Sequence, residues 1–206
     1  MGVTDRLHVT SISADHIIHR GNELSIKKYV SLDPGGDDAE SVAAAGLTPN
    51  AIHILGGNLT SGAITVTLPT STAVPSVGTY YTFLVGMKST ADGGHTIKCG
   101  TATDKLIGSI EYVRVPSTGL ANASFGTSGG AHDQTSVVHI TPNHDTEADD
   151  LISLDGDKGD GGGIEGSWLT FTYIGTPNGT HATWLVDGKI ISHDPNGTGA
   201  HIFGSA

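Results

Sequence analysis

The chain has 206 residues, 30 of them glycine, with charged residues at 15% and aromatic residues at 5%, a turn-rich composition that suits many short strands around one core. Ten lysines and arginines against 21 aspartates and glutamates give a formal charge of −11, which argues against nucleic acid and against a membrane surface as partners. The single cysteine, Cys99, excludes an intrachain disulfide and a cysteine-based metal site, and no apolar run reaches signal-peptide or membrane-span length, so synthesis in a cytoplasm is expected.

Residues 1–46 read as an N-terminal arm and linker. The groups "LHV", "HII" and "LSI" are too sparse to form a core and are expected to find burial against another chain. "SLDPGG" reads as a hinge, and "DDAESVAAAG", Asp37 to Gly46, as a short helix closed by its glycine. Residues 47–206 read as one β domain. "GAITVTLP" alternates Ile64, Val66 and Leu68 with Thr65 and Thr67, and Pro69 ends the ladder. Strands of the same period are predicted in "TYYTFLVG", "HTIKCG", "DKLIGSIEYVRV", "TSVVHITP", "DDLISLDG", "SWLTFTYIG", "HATWLVDG", "KIISHD" and "AHIFG". Asn178-Gly179 supplies a hairpin turn between the two segments that carry Trp168 and Trp184, and both tryptophans are expected to be structural, through core packing and cross-strand contact. The fold class is all-β: a β-sandwich or jelly-roll-like domain with an extended N-terminal arm.

Four stretches raise the question of chemistry. "GTSGG", Gly126 to Gly130, satisfies G-x-S-x-G, with His132 and Asp133 close behind Ser128. A nucleophile elbow needs a strand before the serine and a helix after it, and neither "LANAS" nor "AHDQT" supplies one, so Ser117 to Thr135 reads as a surface loop and no catalytic residue is expected. "DGDKGDGGGIE" offers Asp155, Asp157, Asp160 and Glu165 as oxygen ligands for Ca²⁺. Its register departs from the EF-hand, whose glycine position falls on Asp160 and whose final glutamate position falls on Gly166, so an acidic turn is preferred to a metal site. "NHDTEADD" groups His144, Asp145, Glu147, Asp149 and Asp150, and reads as a solvated loop. His16 and His19 have a transition-metal spacing but no third ligand nearby.

The succession "ITVTLPTSTAVPSVGTYYTFLVG", "GGHTIKCGTATDKLIGSI", "DDLISLDGDKGDGGGIEGSWLTFTYI" and "ATWLVDGKIISHDPNGTGAHIFGSA" resembles a recurrent module of virion proteins from tailed phages, particularly marine and cyanobacterial ones. The resemblance covers Ile64 to Ala206 and rests on motif order: a "TLP" strand, G-x-x-Y-T-F, "HTI", D-x-I-x-L-x-G, "GS" followed by an aromatic residue, W-x-V-x-G, and a glycine-rich tail matched by Gly197, Thr198, Gly199 and Phe203. It implies a β-rich structural protein on the capsid exterior. The expectation is a non-enzymatic capsid decoration protein without cofactor, bound to the major capsid protein and to copies of itself, a trimer among the options, and located on the virion surface. A fibre-tip module recognising host glycans is the alternative, and a serine hydrolase using Ser128 the remote one.

Overall fold

In the strand Ile64–Thr67, Ile64 and Val66 are buried while Thr65 and Thr67 are half-exposed, as the alternation of "ITVT" requires. A computed structural model of the chain describes residues 18–19, 22–23, 28–32, 40–56, 62–74, 76–89, 94–115, 136–142, 149–156, 162–177, 181–192 and 202–204. Among these residues the strands are β1 Ile18–His19, β2 Asn22–Glu23, β3 Tyr29–Leu32, β4 Glu40–Val42, β5 Ala51–Leu55, β6 Ile64–Thr67, β7 Tyr80–Val85, β8 His95–Lys98, β9 Lys105–Arg114, β10 Ser136–Ile140, β11 Leu151–Leu154, β12 Trp168–Tyr173, β13 Thr183–Ser192 and β14 Phe203–Gly204.

They form a seven-stranded sheet in the order β10-β9-β13-β12-β7-β5-β3, a five-stranded sheet in the order β14-β11-β8-β6-β4, and the small pair β1-β2. The fold is all-β, and the two large sheets are consistent with a sandwich. One buried cluster contains residues from both. Leu55, Phe83, Ile110, Phe171, Trp184 and Val186 come from the seven-stranded sheet, and Ile64, Val66, Ile97, Ile152 and Leu154 from the five-stranded one. The predicted strands from β6 to β14 are all present.

Both sheets are mixed. β9 and β13 pair in parallel from Thr183↔Lys105 to Ser192↔Arg114, as do β3 with β5 and β5 with β7, and β4 with β6 and β6 with β8. Strand β13 continues through Gly188, where the sequence suggests a break between "HATWLVDG" and "KIISHD". Glycine is required there by close approach, since a Cβ at Gly188 would strike the Trp168 carbonyl oxygen.

Residues 1–46 contribute to both sheets. Tyr29–Leu32 forms one edge of the seven-stranded sheet, with Leu32 buried, and Glu40–Val42 forms one edge of the five-stranded sheet. In place of the predicted helix, Glu40–Val42 is extended and Ala44–Gly46 forms a single 3-10 turn without a side-chain cap. Pairing with Ile64, Thr65 and Val66 outweighs the helix propensity of three alanines, because an isolated helix of that length is marginal. Asn178-Gly179 lies outside the described residues, while the antiparallel register of β12 and β13, from Trp168↔Lys189 to Tyr173↔Trp184, is that of the expected hairpin.

Candidate binding surface

Trp168 and Trp184 belong to opposite faces of the same sheet. The pairing Tyr173↔Trp184 places Trp184 at one end of the hairpin and on its inner face, fully buried, with ring centroids 5.4 Å from Tyr173 and 5.9 Å from Tyr81. Trp168 stands at the other end, opposite Lys189 and Leu84, and is 38% exposed. The expected packing role therefore holds for Trp184 and fails for Trp168. The reason is the phase of the alternation: Leu169, Phe171 and Tyr173 are the buried positions of β12 and point inward, so Trp168, in the opposite phase, points outward.

Trp168 has apolar company on this outer face. Tyr29 is 61% exposed, Val137 55%, Leu185 40% and Tyr80 39%, and the strand registers place all of them on the Trp168 side of the sheet. Ile52, Ile54, Leu84, Ile107 and Ile191 lie between them, half-exposed. The sequence carries a signal for this face: "TWLVDGKIIS" is apolar in both phases of its alternation, at Trp184 and Val186 but also at Leu185 and Ile191, as in a strand covered on both sides. Thr82 and Thr170 hydrogen-bond to each other on the face at 2.8 Å, and Lys189 Nζ lies 3.2 Å from a Glu111 carboxylate oxygen.

The other stretches singled out in the sequence do not converge on this face. Ser128, His132 and Asp133 lie outside the described residues, as do Asp157, Asp160, His16, His144, Asp145 and Glu147. Of the four Ca²⁺ candidates only Asp155 and Glu165 are described, and one Glu165 carboxylate oxygen accepts the Lys88 N–H at 3.2 Å. The base of their loop is closed by the Gly156 N–H on the Gly162 carbonyl at 2.7 Å and by the Gly163 N–H on the Ile191 carbonyl at 2.9 Å. Among the described residues no three His, Cys, Asp or Glu side chains form a group able to hold a metal. Asp150, expected in a solvated loop, is buried; its backbone joins Cys99 to Gly204, accepting the Cys99 N–H and donating to the Gly204 carbonyl.

Buried titratable groups serve the fold. His95 accepts the Ile64 N–H at Nδ1 (3.1 Å) and donates from Nε2 to the Met87 carbonyl (2.8 Å), tying β6 to the segment after β7. His53 accepts the Thr48 N–H at Nε2 (3.0 Å), with its ring 5.3 Å from Phe83. Each ring nitrogen that receives an N–H must be unprotonated, and burial lowers both pKa values below the ordinary 6.5, with backbone contacts at Thr82 and Met87 partly offsetting it. Well above pH 6.5 the rings are neutral in folded and unfolded chains alike. Below it the unfolded chain takes up protons first, so stability falls as pH falls, by up to about 1.4 kcal/mol per pH unit for each histidine until its folded pKa is reached. Urea midpoints measured between about pH 7 and pH 5.5, above the carboxylate range, should therefore decrease steadily.

Cys99 is buried and free. Burial, reinforced by the negative charges of Asp104 and Asp150, raises its pKa far above the ordinary thiol range. In the native protein it should resist a thiol-modifying reagent at pH 8 and react only on addition of denaturant. Asp104 holds two strand ends together. Its two carboxylate oxygens accept the Ala182 N–H at 2.8 Å and the Thr101 N–H at 3.1 Å, fixing the start of β9 against that of β13.

Together these features define a β scaffold with an apolar core, a few hydrogen-bonded polar groups buried in it, and an outer sheet face on which Trp168, Leu185, Tyr80 and Tyr29 stand exposed among Thr82, Thr170, Asp187 and Lys189. No family model, curated protein or solved structure matches the chain.

Proposed function

We propose that the protein is a non-enzymatic structural component of a tailed-phage particle, a decoration protein on the outer surface of the head that binds the major capsid protein and copies of itself. The observation that carries this reading is the outer face around Trp168, Leu185 and Tyr80, whose apolar side chains stand exposed on a firmly packed sheet. Large apolar side chains left exposed together on one sheet face suit a surface that is covered in an assembly. The motif order from Ile64 to Ala206 supports a virion role, and the −11 charge suits binding to protein rather than to the packaged nucleic acid. The action is mechanical: a protein bridging neighbouring shell subunits adds buried area at their joints and raises the free energy needed to separate them.

The test is reconstitution on capsids purified without the protein. Saturable binding, followed by resistance of the loaded capsids to heat and osmotic shock, is the expected result, and imaging of whole particles should place the density on the head. A second reading, a fibre or receptor-binding module, gains from the exposure of Trp168, because an aromatic ring with polar neighbours such as Thr170 and Lys189 can stack on a sugar. Density at the tail tip with reproducible glycan binding would replace the first reading by the second. Hydrolysis at Ser128 is tested by a serine-reactive fluorophosphonate, and the protein is expected to remain unlabelled.

A further inference from the structure

We infer that residues 40–48 form an acid-released strap: latched by the ring of His53, they lift away as a unit when that ring is protonated, while the two large sheets stay folded. This conformational step takes place within one chain and does not depend on the decoration reading.

The strap is thinly held. Its β4 portion, Glu40–Val42, lies at the edge of the five-stranded sheet and pairs only with Ile64, Thr65 and Val66. The turn Ala44–Gly46 closes on itself, the Gly46 and Leu47 N–H groups donating to the Ala43 and Ala44 carbonyls rather than to either sheet. Leu47 is buried, and Val42 packs at the margin of the core. Among the described residues, the Thr48 N–H on His53 Nε2, at 3.0 Å, is the one hydrogen bond between residues 43–48 and the rest of the fold. Beyond it the chain is fixed. Asn50, with φ of 56°, donates its N–H to the Tyr80 carbonyl at 2.8 Å and accepts the Tyr80 N–H on its side-chain oxygen at 3.2 Å. Opening therefore stops at Asn50 and leaves β5 paired with β7. A segment with few buried contacts and one-sided pairing opens at lower cost than the sheets it borders.

His53 couples this opening to acid. Because Nε2 accepts the Thr48 N–H, the ring is neutral with its proton on Nδ1, which makes only a poorly aligned contact with the Thr82 backbone. A second proton sets an N–H on Nε2 against that of Thr48 and buries a cation. The described groups around the ring supply no counter-charge. Its strand partners are Val30 and Phe83, and the Tyr81 ring, 6.0 Å away, carries a phenol that burial keeps protonated. The strap brings Leu47 and Thr48, and the inner face of the five-stranded sheet adds one titratable group, His95, whose two ring nitrogens are both engaged with the backbone. Lifting the strap replaces the Thr48 N–H by water at Nε2, so the open form takes up a proton with close to the ordinary affinity, while burial in the closed form opposes it. Opening is therefore rarest well above pH 6.5 and grows as the pH falls below it, until the pKa of the closed form is reached. His95 differs, because it joins β6 to the segment after β7 from a central strand, so its protonation is tied to unfolding of the sheets.

Amide hydrogen exchange of the full chain, resolved by residue and corrected for the intrinsic rate at each pH, tests this between about pH 7 and pH 5.5, above the carboxylate range. The Thr48 amide is the direct probe. It should exchange at least about 100-fold faster than the amides of Phe171 and Val186 in the central strands, the mark of a local opening. Its opening should increase several-fold as the pH falls across this range, to a limit of about 8-fold for one proton on a group of ordinary pKa 6.5. His53→Gln offers Thr48 a carbonyl oxygen that does not titrate in this range, so exchange at Thr48 should become independent of pH. In the wild type alone, a Thr48 amide as protected as those of Phe171 and Val186, or an opening unchanged by pH, overturns the inference. A folded His53→Gln variant that keeps the full pH response overturns it as well and moves the titrating group elsewhere, to His95 first.

Discussion

Trp184→Ala should lower the stability of the protein by about 3 to 5 kcal/mol, whereas Trp168→Ala should cost about 1 kcal/mol or less. Trp184 is fully buried and packs against Tyr81 and Tyr173, so truncation leaves a cavity that the flanking β strands cannot close. Trp168 leaves no internal cavity, because its ring lies on the outer face. Trp184→Phe sharpens the test: the indole Nε1 makes no hydrogen bond in its buried position, so phenylalanine forfeits volume without losing a polar partner and should recover much of the loss. Urea unfolding of the three variants measures all of this. Equal losses at the two tryptophans would mean that Trp168 is covered from outside, by another chain or by another segment of this one.

The difference between the two tryptophans also shows what the sequence makes legible. Period-two alternation identifies strands, and from Ile64 onward it locates each strand among the described residues, with two predicted runs merged into β13, because Ile, Val, Phe and Tyr alternate there with Thr and Ser and each run ends at a turn-forming residue. Alternation also fixes which residues share a face. It cannot say which face is inside when both phases carry large apolar residues, and "SWLTFTYIG" is such a case: Trp168 outranks Leu169 in size, yet Leu169, Phe171 and Tyr173 form the inward set. The same ambiguity hides the exposed apolar residues of the outer face. Leu185, Ile107 and Tyr80 look like core residues until the pairing partners are known.

The early strands are hidden for a different reason. "AIHIL" is short, and its central His53 reads as polar, although neutral and hydrogen-bonded it belongs to the buried face. Tyr29–Leu32 and Glu40–Val42 owe their conformation to β5 and β6, residues far from them in the chain, and their own sequences favour strands only weakly. Parallel pairing of this kind leaves no hairpin signal, since the partners are joined by long connections rather than tight turns. The chemistry-like motifs are legible only as residue types; whether Asp157 and Asp160 meet Asp155 and Glu165, or His132 meets Ser128, depends on tertiary geometry that spacing alone does not fix.

Nested truncation should separate attachment from folding within residues 1–46. Removing residues 1–27 leaves β3 and β4 in place, and the shortened protein should melt close to the full chain. Removing residues 1–46 strips both sheets of an edge strand, takes Leu32 out of the core together with Val30 and Val42 at its margin, and exposes the backbones of β5 and β6 as new edges. Those edges present unpaired N–H and C=O groups beside the fully buried Leu55, Ile64 and Val66, so the product is expected to aggregate rather than persist as a smaller sandwich. A point substitution gives the same answer without a cut: Leu32→Ala should cost about 2 to 3 kcal/mol, at the lower end of the range for buried leucines because its strand lies at the sheet edge. If the protein lacking residues 1–46 folded with an unchanged melting temperature and lost only its hold on capsids, the whole segment would be a fastening arm, and β3 and β4 would contribute nothing to the stability of the sheets they border.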